Sequence, residues 1–171
     1  VKQHEFERIT VIEIATRQAN FQLVLELFGG GNTLLVSPEN KILQAMTYKR
    51  MRDRNILRNE PFQHAPARGK NPKTVTLQEF MNIKTLNDTE IIRGLTKFLS
   101  ISGTYAEEIL QRLDINKKTK LSELSDSQLE QIFSLLQQLL LAVESGDLEP
   151  AIVMDPDEEW VDVTPVPLKR Y

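Results

Sequence analysis

Lysine and arginine are concentrated in one part of the chain. Residues 41–73 contain nine of them and only two acidic residues. The forked donors of a guanidinium match the oxygens of a phosphate group, and aromatic rings can stack on bases. The candidate polyanion ligands are therefore Arg50, Arg52 and Arg54, with Tyr48 and Phe62 as candidate stacking residues. The alternative is a solvated, charged edge strand that resists aggregation.

A second candidate phosphate site lies further along, at Ser102, Gly103 and Thr104. These residues separate two segments of helical apolar spacing, which predicts a helix–hairpin–helix. Backbone N–H groups at the start of the second helix can bind a phosphate without reading sequence. Glu107 and Glu108 would repel a phosphate, however, and helix–glycine–helix turns also occur in proteins that bind nothing.

The residue types exclude several other chemistries. The chain has no cysteine and only two histidines, His4 and His64, so a thiolate metal site is impossible. The glycine triplet Gly29–Gly31 precedes an apolar strand pattern, whereas a phosphate-binding loop needs Lys-Ser/Thr and a helix behind it. No nucleophile lies in a recognisable pattern with a base and an orienting group. We therefore expect no catalytic residue, no metal and no small-molecule cofactor.

Bulk properties limit the class of protein. The chain has 171 residues and a net charge of −3, which is ordinary for a globular protein. The charge is uneven, because residues 144–162 contain eight acids and no lysine or arginine. No segment resembles a membrane span or a signal peptide, which predicts a cytoplasmic protein without membrane contact. The first residue is valine, so we expect a fragment of a longer protein.

Two different periodicities divide the chain into an α+β fold. Phe6–Ile14 is rich in β-branched residues and predicts a strand. Phe21, Leu23, Leu25 and Leu27 alternate with other residues and predict a strand that buries this odd-numbered face. A Gly-Gly-Gly-Asn turn and two further apolar runs, 34–36 and 42–46, complete an antiparallel meander. Residues 1–75 are therefore assigned to a β part with a basic loop.

From residue 76 the spacing is helical. Polar residues in capping patterns predict helix starts at Thr76-x-x-Glu79, Asn87-x-x-Glu90, Thr104-x-x-Glu107 and Ser125-x-x-Gln128. The last of these helices should form the core of this part and end at Gly146. Residues 76–147 are assigned to the helix–hairpin–helix subdomain. Residues 148–171 are assigned to a C-terminal β-hairpin, with strands at 151–154 and 160–163, followed by an extended tail.

Several of these stretches resemble one known family. Residues 27–32, Lys41–Leu43, 52–56, 102–109 and 164–168 are similar to the NFACT N-terminal domain, which includes fibronectin-binding protein A-like proteins. The resemblance implies an architecture like that of formamidopyrimidine-DNA glycosylases, a β-sandwich followed by helices. Three positions depart from the family pattern: Asn59 replaces a glycine, Phe62 a tyrosine and Ala65 a proline. They indicate a divergent member.

The resemblance also implies a role for Glu7 and Arg8, which match an Asp-Arg pair that the family uses in handling tRNA. Glutamate keeps the charge but is one methylene longer than aspartate. The alternative is an exposed ion pair at a strand end, which contributes little to stability. Glycosylase chemistry is not carried over, because it uses an N-terminal proline amine and commonly a cysteine zinc finger. This chain begins with Val1 and has no cysteine.

Three functions follow from these observations. The family implies a non-catalytic RNA-binding module of a ribosome quality control factor. Such a factor binds the large ribosomal subunit carrying a stalled peptidyl-tRNA and recruits tRNA, often alanyl-tRNA, for template-free C-terminal tailing. A DNA-binding module of glycosylase-like ancestry is the second interpretation. A fibronectin-binding surface adhesin is the third, although an adhesin should carry an export signal.

Overall fold

The computed structural model describes residues Val1–Tyr171, which form two compact units, residues 1–67 and 68–171. The first unit contains a five-stranded antiparallel sheet whose strands are neighbours in chain order. Its strands are β1 (Lys2–Gln3), β2 (Ile9–Ala15), β3 (Asn20–Glu26), β4 (Asn32–Val36) and β5 (Ile42–Ala45). A separate two-stranded ribbon of β6 (Lys49–Arg50) and β7 (Asn55–Ile56) follows. The predicted meander is confirmed.

The turn between β3 and β4 depends on its glycines. Gly29 and Gly31 have φ angles of 60° and 70°, in the left-handed region that side chains with a Cβ rarely adopt. The Gly31 N–H donates to the Phe28 carbonyl oxygen at 3.0 Å, a normal hydrogen-bond distance. The glycine triplet therefore forms a tight strand connection, as its sequence context predicted.

The buried face of β3 is the opposite of the predicted one. Val24 and Glu26 are buried, whereas Leu27 is 61% exposed and the other odd-numbered residues are half-buried. Val24 pairs with Val11 on β2 and with Leu34 on β4, so the even-numbered face joins the core. Apolar residues occupy both faces of this strand, and the neighbouring strands decide which face is covered. Periodicity alone could not choose between them.

The second unit contains four helices and a final hairpin. The helices are α1 (Leu77–Met81), α2 (Ile91–Phe98), α3 (Gly103–Arg112) and α4 (Asp126–Ser145), with 3₁₀ turns at Asn82–Leu86 and Leu121–Glu123. The hairpin strands are β8 (Ala151–Met154) and β9 (Trp160–Thr164). The helical core is apolar and is filled by residues such as Phe80, Ile91, Ile109, Leu129 and Ile132. The α+β fold class is confirmed, and no helix is both long and apolar enough to cross a membrane.

Two of the four predicted helix starts are confirmed. Thr76 with Glu79 and Ser125 with Gln128 form capping boxes, and α4 ends at Gly146 in the left-handed conformation. The other two starts were wrong. Helix α2 is preceded by Glu90 without a side-chain cap, and α3 is capped by Ser102 rather than Thr104.

A buried carboxylate fixes the C-terminal tail to α3. Glu108 is fully buried and accepts hydrogen bonds from the Lys169 N–H at 2.7 Å and the Arg112 Nε at 2.5 Å. Arg112 also donates to the Pro167 carbonyl oxygen at 2.9 Å, and Leu168 is buried beside it. Because its oxygens are held in this way, Glu108 serves as an anchor for the tail and does not face a ligand at the helix start.

Candidate nucleic-acid interface

Three exposed cations of the first unit lie on the ribbon of β6 and β7 and its connecting turn. We call residues 47–56 the basic hairpin. Lys49, Arg50 and Arg52 are exposed on it, and none of them forms an ion pair in the structure. Tyr48 is 41% exposed on the same segment. Cations without carboxylate partners retain their full attraction for phosphate, so this hairpin has the chemistry of a polyanion-binding surface.

Arg54 does not share this surface, although the sequence grouped it with Arg50 and Arg52. Its side chain is 5% exposed and lies 2.6 Å from the Glu26 carboxylate, which is 4% exposed. Its Nη1 also donates to the Gln63 carbonyl oxygen at 2.9 Å. Glu26 lies on the buried face of β3, where an unpaired carboxylate would be very unfavourable, and Arg54 supplies its counter-charge. Arg54 therefore stabilises the base of the hairpin from the interior.

Asn32 attaches the other stem of the basic hairpin to the sheet. Its side chain is buried, donates to the Thr47 carbonyl oxygen at 2.9 Å and accepts the Thr47 N–H at 2.9 Å. The same Oδ1 accepts the Thr33 N–H at 3.0 Å. Sequence reasoning treated Asn32 only as a turn residue. A polar residue between a glycine triplet and an apolar run was the available signal for such a positioning role.

Arg8 lies at the same end of the sheet as the basic hairpin. Its side chain is exposed, and its carbonyl oxygen accepts the Leu27 N–H at 2.8 Å. Strand register then places Ile9 beside Glu26, and Glu26 beside Asn32. Residue 8 and the base of the hairpin are therefore brought to one sheet end by strand pairing.

Glu7 differs from its neighbour in environment. It is half-buried in the turn that precedes β2, and its carbonyl oxygen accepts a hydrogen bond from the Gln3 Nε2 at 2.9 Å. The predicted strand over Phe6–Ile14 is correspondingly shorter, because β2 begins at Ile9. The Glu7–Arg8 pair is thus presented from a turn.

The two histidines, which appeared isolated in the sequence, are stacked in the structure. The rings of His4 and His64 have centroids 3.6 Å apart and an interplanar angle of 11°. Phe62 contacts His64 edge-on at 4.8 Å and is only 5% exposed. Burial, followed by the charges of His4 and Arg54, lowers the pKa of His64 below its usual value. Phe62 is therefore a core residue and not an accessible stacking surface, whereas Tyr48 is accessible.

The second candidate site, at the start of α3, is open. Ser102 and Gly103 are exposed, and no atom lies within 4 Å of the position that a Cβ on Gly103 would occupy. The Ser102 hydroxyl accepts the Tyr105 N–H at 3.5 Å, and Arg170 Nη1 lies 3.5 Å from the Thr104 hydroxyl. The earlier N–H groups of a helix have no intrahelical acceptor. A guanidinium and free amides therefore lie together here.

The acids near this helix start do not oppose an anion as strongly as the sequence suggested. Glu107 pairs with Lys117, and the hydrogen bond from that ammonium lowers the pKa of Glu107. Glu108 is buried against the C-terminal tail. One of the two carboxylates is thus paired with a cation and the other is turned inward.

A sequence profile of the NFACT N-terminal and middle domains matches residues 1–171. The chain belongs to the NFACT family. A curated relative is the archaeal Rqc2 homolog aRqcH of Methanocaldococcus jannaschii, 31% identical over 176 residues. The alignment covers 100% of this chain and 26% of that relative, so this NFACT segment spans about a quarter of the relative's length.

Solved structures have the same fold. The fibrinogen-binding protein of Staphylococcus aureus matches with a TM-score of 0.71 at 19% identity, covering 99% of this NFACT segment and 61% of that chain. The N-terminal part of the fibronectin/fibrinogen-binding protein of Streptococcus suis matches with a TM-score of 0.62 at 18% identity, covering 98% and 58%. At these identities the likeness shows the fold alone.

Proposed function

We propose that this NFACT segment is a non-catalytic RNA-binding module of a cytoplasmic ribosome quality control factor. In this proposal the whole protein binds the large ribosomal subunit with its stalled peptidyl-tRNA and recruits tRNA for template-free tailing. The family membership and the 31% identity to a relative named an Rqc2 homolog support this assignment. The segment contributes positioning, and the peptide-bond chemistry belongs to the RNA of the ribosome.

The observation that carries the proposal is the set of unpaired cations on the basic hairpin. Lys49, Arg50 and Arg52 are exposed without carboxylate partners, and exposed Arg8 lies at the same end of the sheet. Phosphate contacts of this kind supply most of the sequence-independent affinity for nucleic acid. Tyr48 adds an aromatic face on which an unpaired base can stack, which favours RNA with single-stranded regions over duplex DNA.

Two further RNA contacts are proposed, one in each unit. Glu7 and Arg8 contact tRNA from their turn, as the family resemblance implies. The start of α3, at Ser102, Gly103 and Thr104, offers backbone amides to a phosphate. Arg54 has no part in RNA contact, because its guanidinium is used by Glu26.

Binding titrations distinguish this proposal from its alternatives. The protein is titrated with tRNA, large ribosomal subunits, duplex DNA and fibronectin at two salt concentrations. We expect tRNA and large subunits to bind more tightly than duplex DNA, with the preference kept at the higher salt. A preference for damaged duplex DNA would favour the glycosylase-like alternative. Tight fibronectin binding without RNA binding would favour the adhesin and contradict the proposal.

The Arg8→Ala variant tests the contribution of the turn before β2. We expect weaker tRNA binding with an unchanged melting temperature, because the side chain is exposed. Arg17→Ala, which removes an exposed arginine from the opposite end of β2, is the matched control. An early-melting Arg8→Ala protein would show instead that the residue has a structural role.

A further inference from the structure

The hairpin of β8 and β9, residues 151–164, exposes its apolar face; we call it the apolar hairpin. Ile152 is 57% exposed and pairs with Val163, which is 63% exposed; Met154 is 48% exposed and pairs with Trp160, which is 74% exposed. Directly paired residues point to the same side of a sheet. These four side chains therefore form one continuous apolar surface. A half-buried hairpin usually presents polar residues to water, so this surface needs an explanation.

The other face of the apolar hairpin is fixed to the second unit. Thr164 is buried, and Asp162 is half-buried and accepts the Tyr171 hydroxyl at 2.8 Å. That hydrogen bond raises the pKa of Tyr171, and the tail beyond β9 is anchored by buried Val166. The hairpin is thus oriented by its inner face, and the apolar side chains face outward because the inner positions are occupied.

Unpaired acids lie in the turn between β8 and β9 and in the segment that precedes β8. Six acidic residues near the hairpin take part in none of the ion pairs of the structure: Asp147, Glu149, Asp155, Asp157, Glu158 and Glu159. Several carboxylates elsewhere in the same unit do pair with lysine, as Glu79 does with Lys70 and Asp126 with Lys84. No basic residue lies between positions 144 and 162. We call these six residues the acidic rim; their negative charge is not offset by an ion pair.

We propose that the apolar hairpin binds an extended protein segment in which apolar side chains alternate with lysine or arginine. A two-stranded sheet leaves one edge of each strand unpaired, so a third strand can add by backbone hydrogen bonds. Its apolar side chains would lie beside Ile152 and Trp160 on the outer face, and its lysine or arginine side chains, which project from the opposite face, would approach the acidic rim. This inference is independent of the proposed RNA interface.

The negative charge of the acidic rim favours a basic polypeptide segment over other ligands of the apolar hairpin. Nucleic acid and the anionic cytoplasmic surface of a membrane would both be repelled by the acidic rim. A second copy of the same hairpin would bring like charges together across the contact. A basic, apolar polypeptide satisfies both properties of the surface.

Trp160 makes the surface directly observable, because it is the one tryptophan of the chain. The probe is a synthetic nine-residue peptide in which lysine alternates with valine and leucine. We expect a blue shift of Trp160 emission and weaker quenching by acrylamide as the peptide is added. Two matched peptides serve as controls, one with glutamate for lysine and one with serine for valine and leucine. Each should bind at least about tenfold more weakly.

Protein variants locate the binding. Ile152→Ser/Val163→Ser keeps the fluorophore and should weaken peptide binding about tenfold or more, whereas Leu27→Ser, which alters an exposed leucine of the first unit, should leave it unchanged. Asp157→Asn/Glu158→Gln/Glu159→Gln should reduce the salt dependence of binding. Circular dichroism checks that each variant is folded.

Three outcomes would overturn the inference. The first is equal binding of all three peptides. The second is a Trp160 that is already shielded from acrylamide in the full-length protein, which would mean that the chain covers its own surface. The third is a concentration-dependent dimer in sedimentation that shields Trp160 without peptide.

Discussion

The basic hairpin and the apolar hairpin have the same architecture and opposite chemistry. Each is a two-stranded ribbon, which is too small to bury its own side chains. Buried polar groups hold the basic hairpin at its stems, through Asn32 and Arg54, and leave cations exposed. Asp162 and Thr164 lie on the inner face of the apolar hairpin and leave hydrophobic residues exposed. The anchoring contacts therefore decide which chemistry a small ribbon presents.

The two units also differ in how they use charge. In the second unit, most ion pairs connect lysines to acids at the surface, as in Lys70–Glu79, Lys84–Asp126 and Lys117–Glu107. In the first unit, the arginine in an ion pair is the buried Arg54, and the cations of the basic hairpin are unpaired. The basic hairpin thus presents unpaired positive charge at the proposed RNA contact.

Removing the interior anchor of the basic hairpin should have the largest effect. Arg54→Met leaves the Glu26 carboxylate buried without a counter-charge, which costs about 3–5 kcal/mol of unfolding free energy. Urea unfolding measures this loss. Arg52→Met, at an exposed position, is the control and should change stability by less than about 0.5 kcal/mol. Glu26→Leu/Arg54→Met should recover much of the loss, and equal losses for all three proteins would contradict the role of the pair.

Removing the exposed cations should affect binding and leave folding intact. Arg50→Ala/Arg52→Ala should weaken tRNA binding on the order of 30-fold at 0.1 M salt and reduce the log–log salt slope by about 1.5. The melting temperature should not change, because both side chains are exposed. Lys97→Ala/Lys118→Ala removes the same charge from exposed positions of the second unit and should bind tRNA nearly as well. Equal weakening of tRNA binding by both double variants would show that the effect comes from the net charge of the protein and not from the basic hairpin.

Loss of the other stem anchor should have an intermediate effect on stability. Asn32→Ala leaves the Thr47 N–H and carbonyl without their partner, which costs about 1–3 kcal/mol. Urea unfolding again measures this change. Asn32→Asp keeps the acceptor, loses the donor to the Thr47 carbonyl oxygen and adds a buried negative charge beside Glu26, so it should also destabilise the protein. An Asn32→Ala protein as stable as the parent would show that the hairpin is held by Arg54 alone.

The smallest effect concerns pH. Burial and the charge of stacked His4 lower the pKa of His64 below 6.5, so the folded state favours the neutral ring. The contribution of His64 to the free energy of unfolding is therefore fully present above pH 6.5. It is lost as the pH falls from 6.5 towards the lower pKa of the folded state. The carboxylates with lowered pKa values, such as Glu79 at about 2, titrate below this window. Melting temperatures between pH 7 and 5 should fall less in His64→Asn than in the parent protein.

Local sequence determined most of the secondary structure. The glycine triplet forms its turn because two of its residues adopt positive φ angles, and the Thr76 and Ser125 capping boxes form from residues three positions apart. The final hairpin likewise follows from two apolar runs and an acidic turn. These features depend on neighbours in the chain, so a sequence pattern is sufficient to predict them.

Tertiary structure alone decided the environment of the charged and aromatic residues. In the sequence, Arg54 follows Arg50 and Arg52 and looks equivalent to them. Only the fold brings Arg54 to Glu26 on the buried face of β3. Likewise, the N–H group that donates to the buried Glu108 carboxylate belongs to Lys169, which lies 61 positions further along the chain. Burial and charge pairing depend on residues that are close in space but far apart in the sequence. A local sequence pattern does not give the distances between such residues. The sequence therefore predicted the elements and the kinds of side chain available, while the packing decided which of them face the solvent.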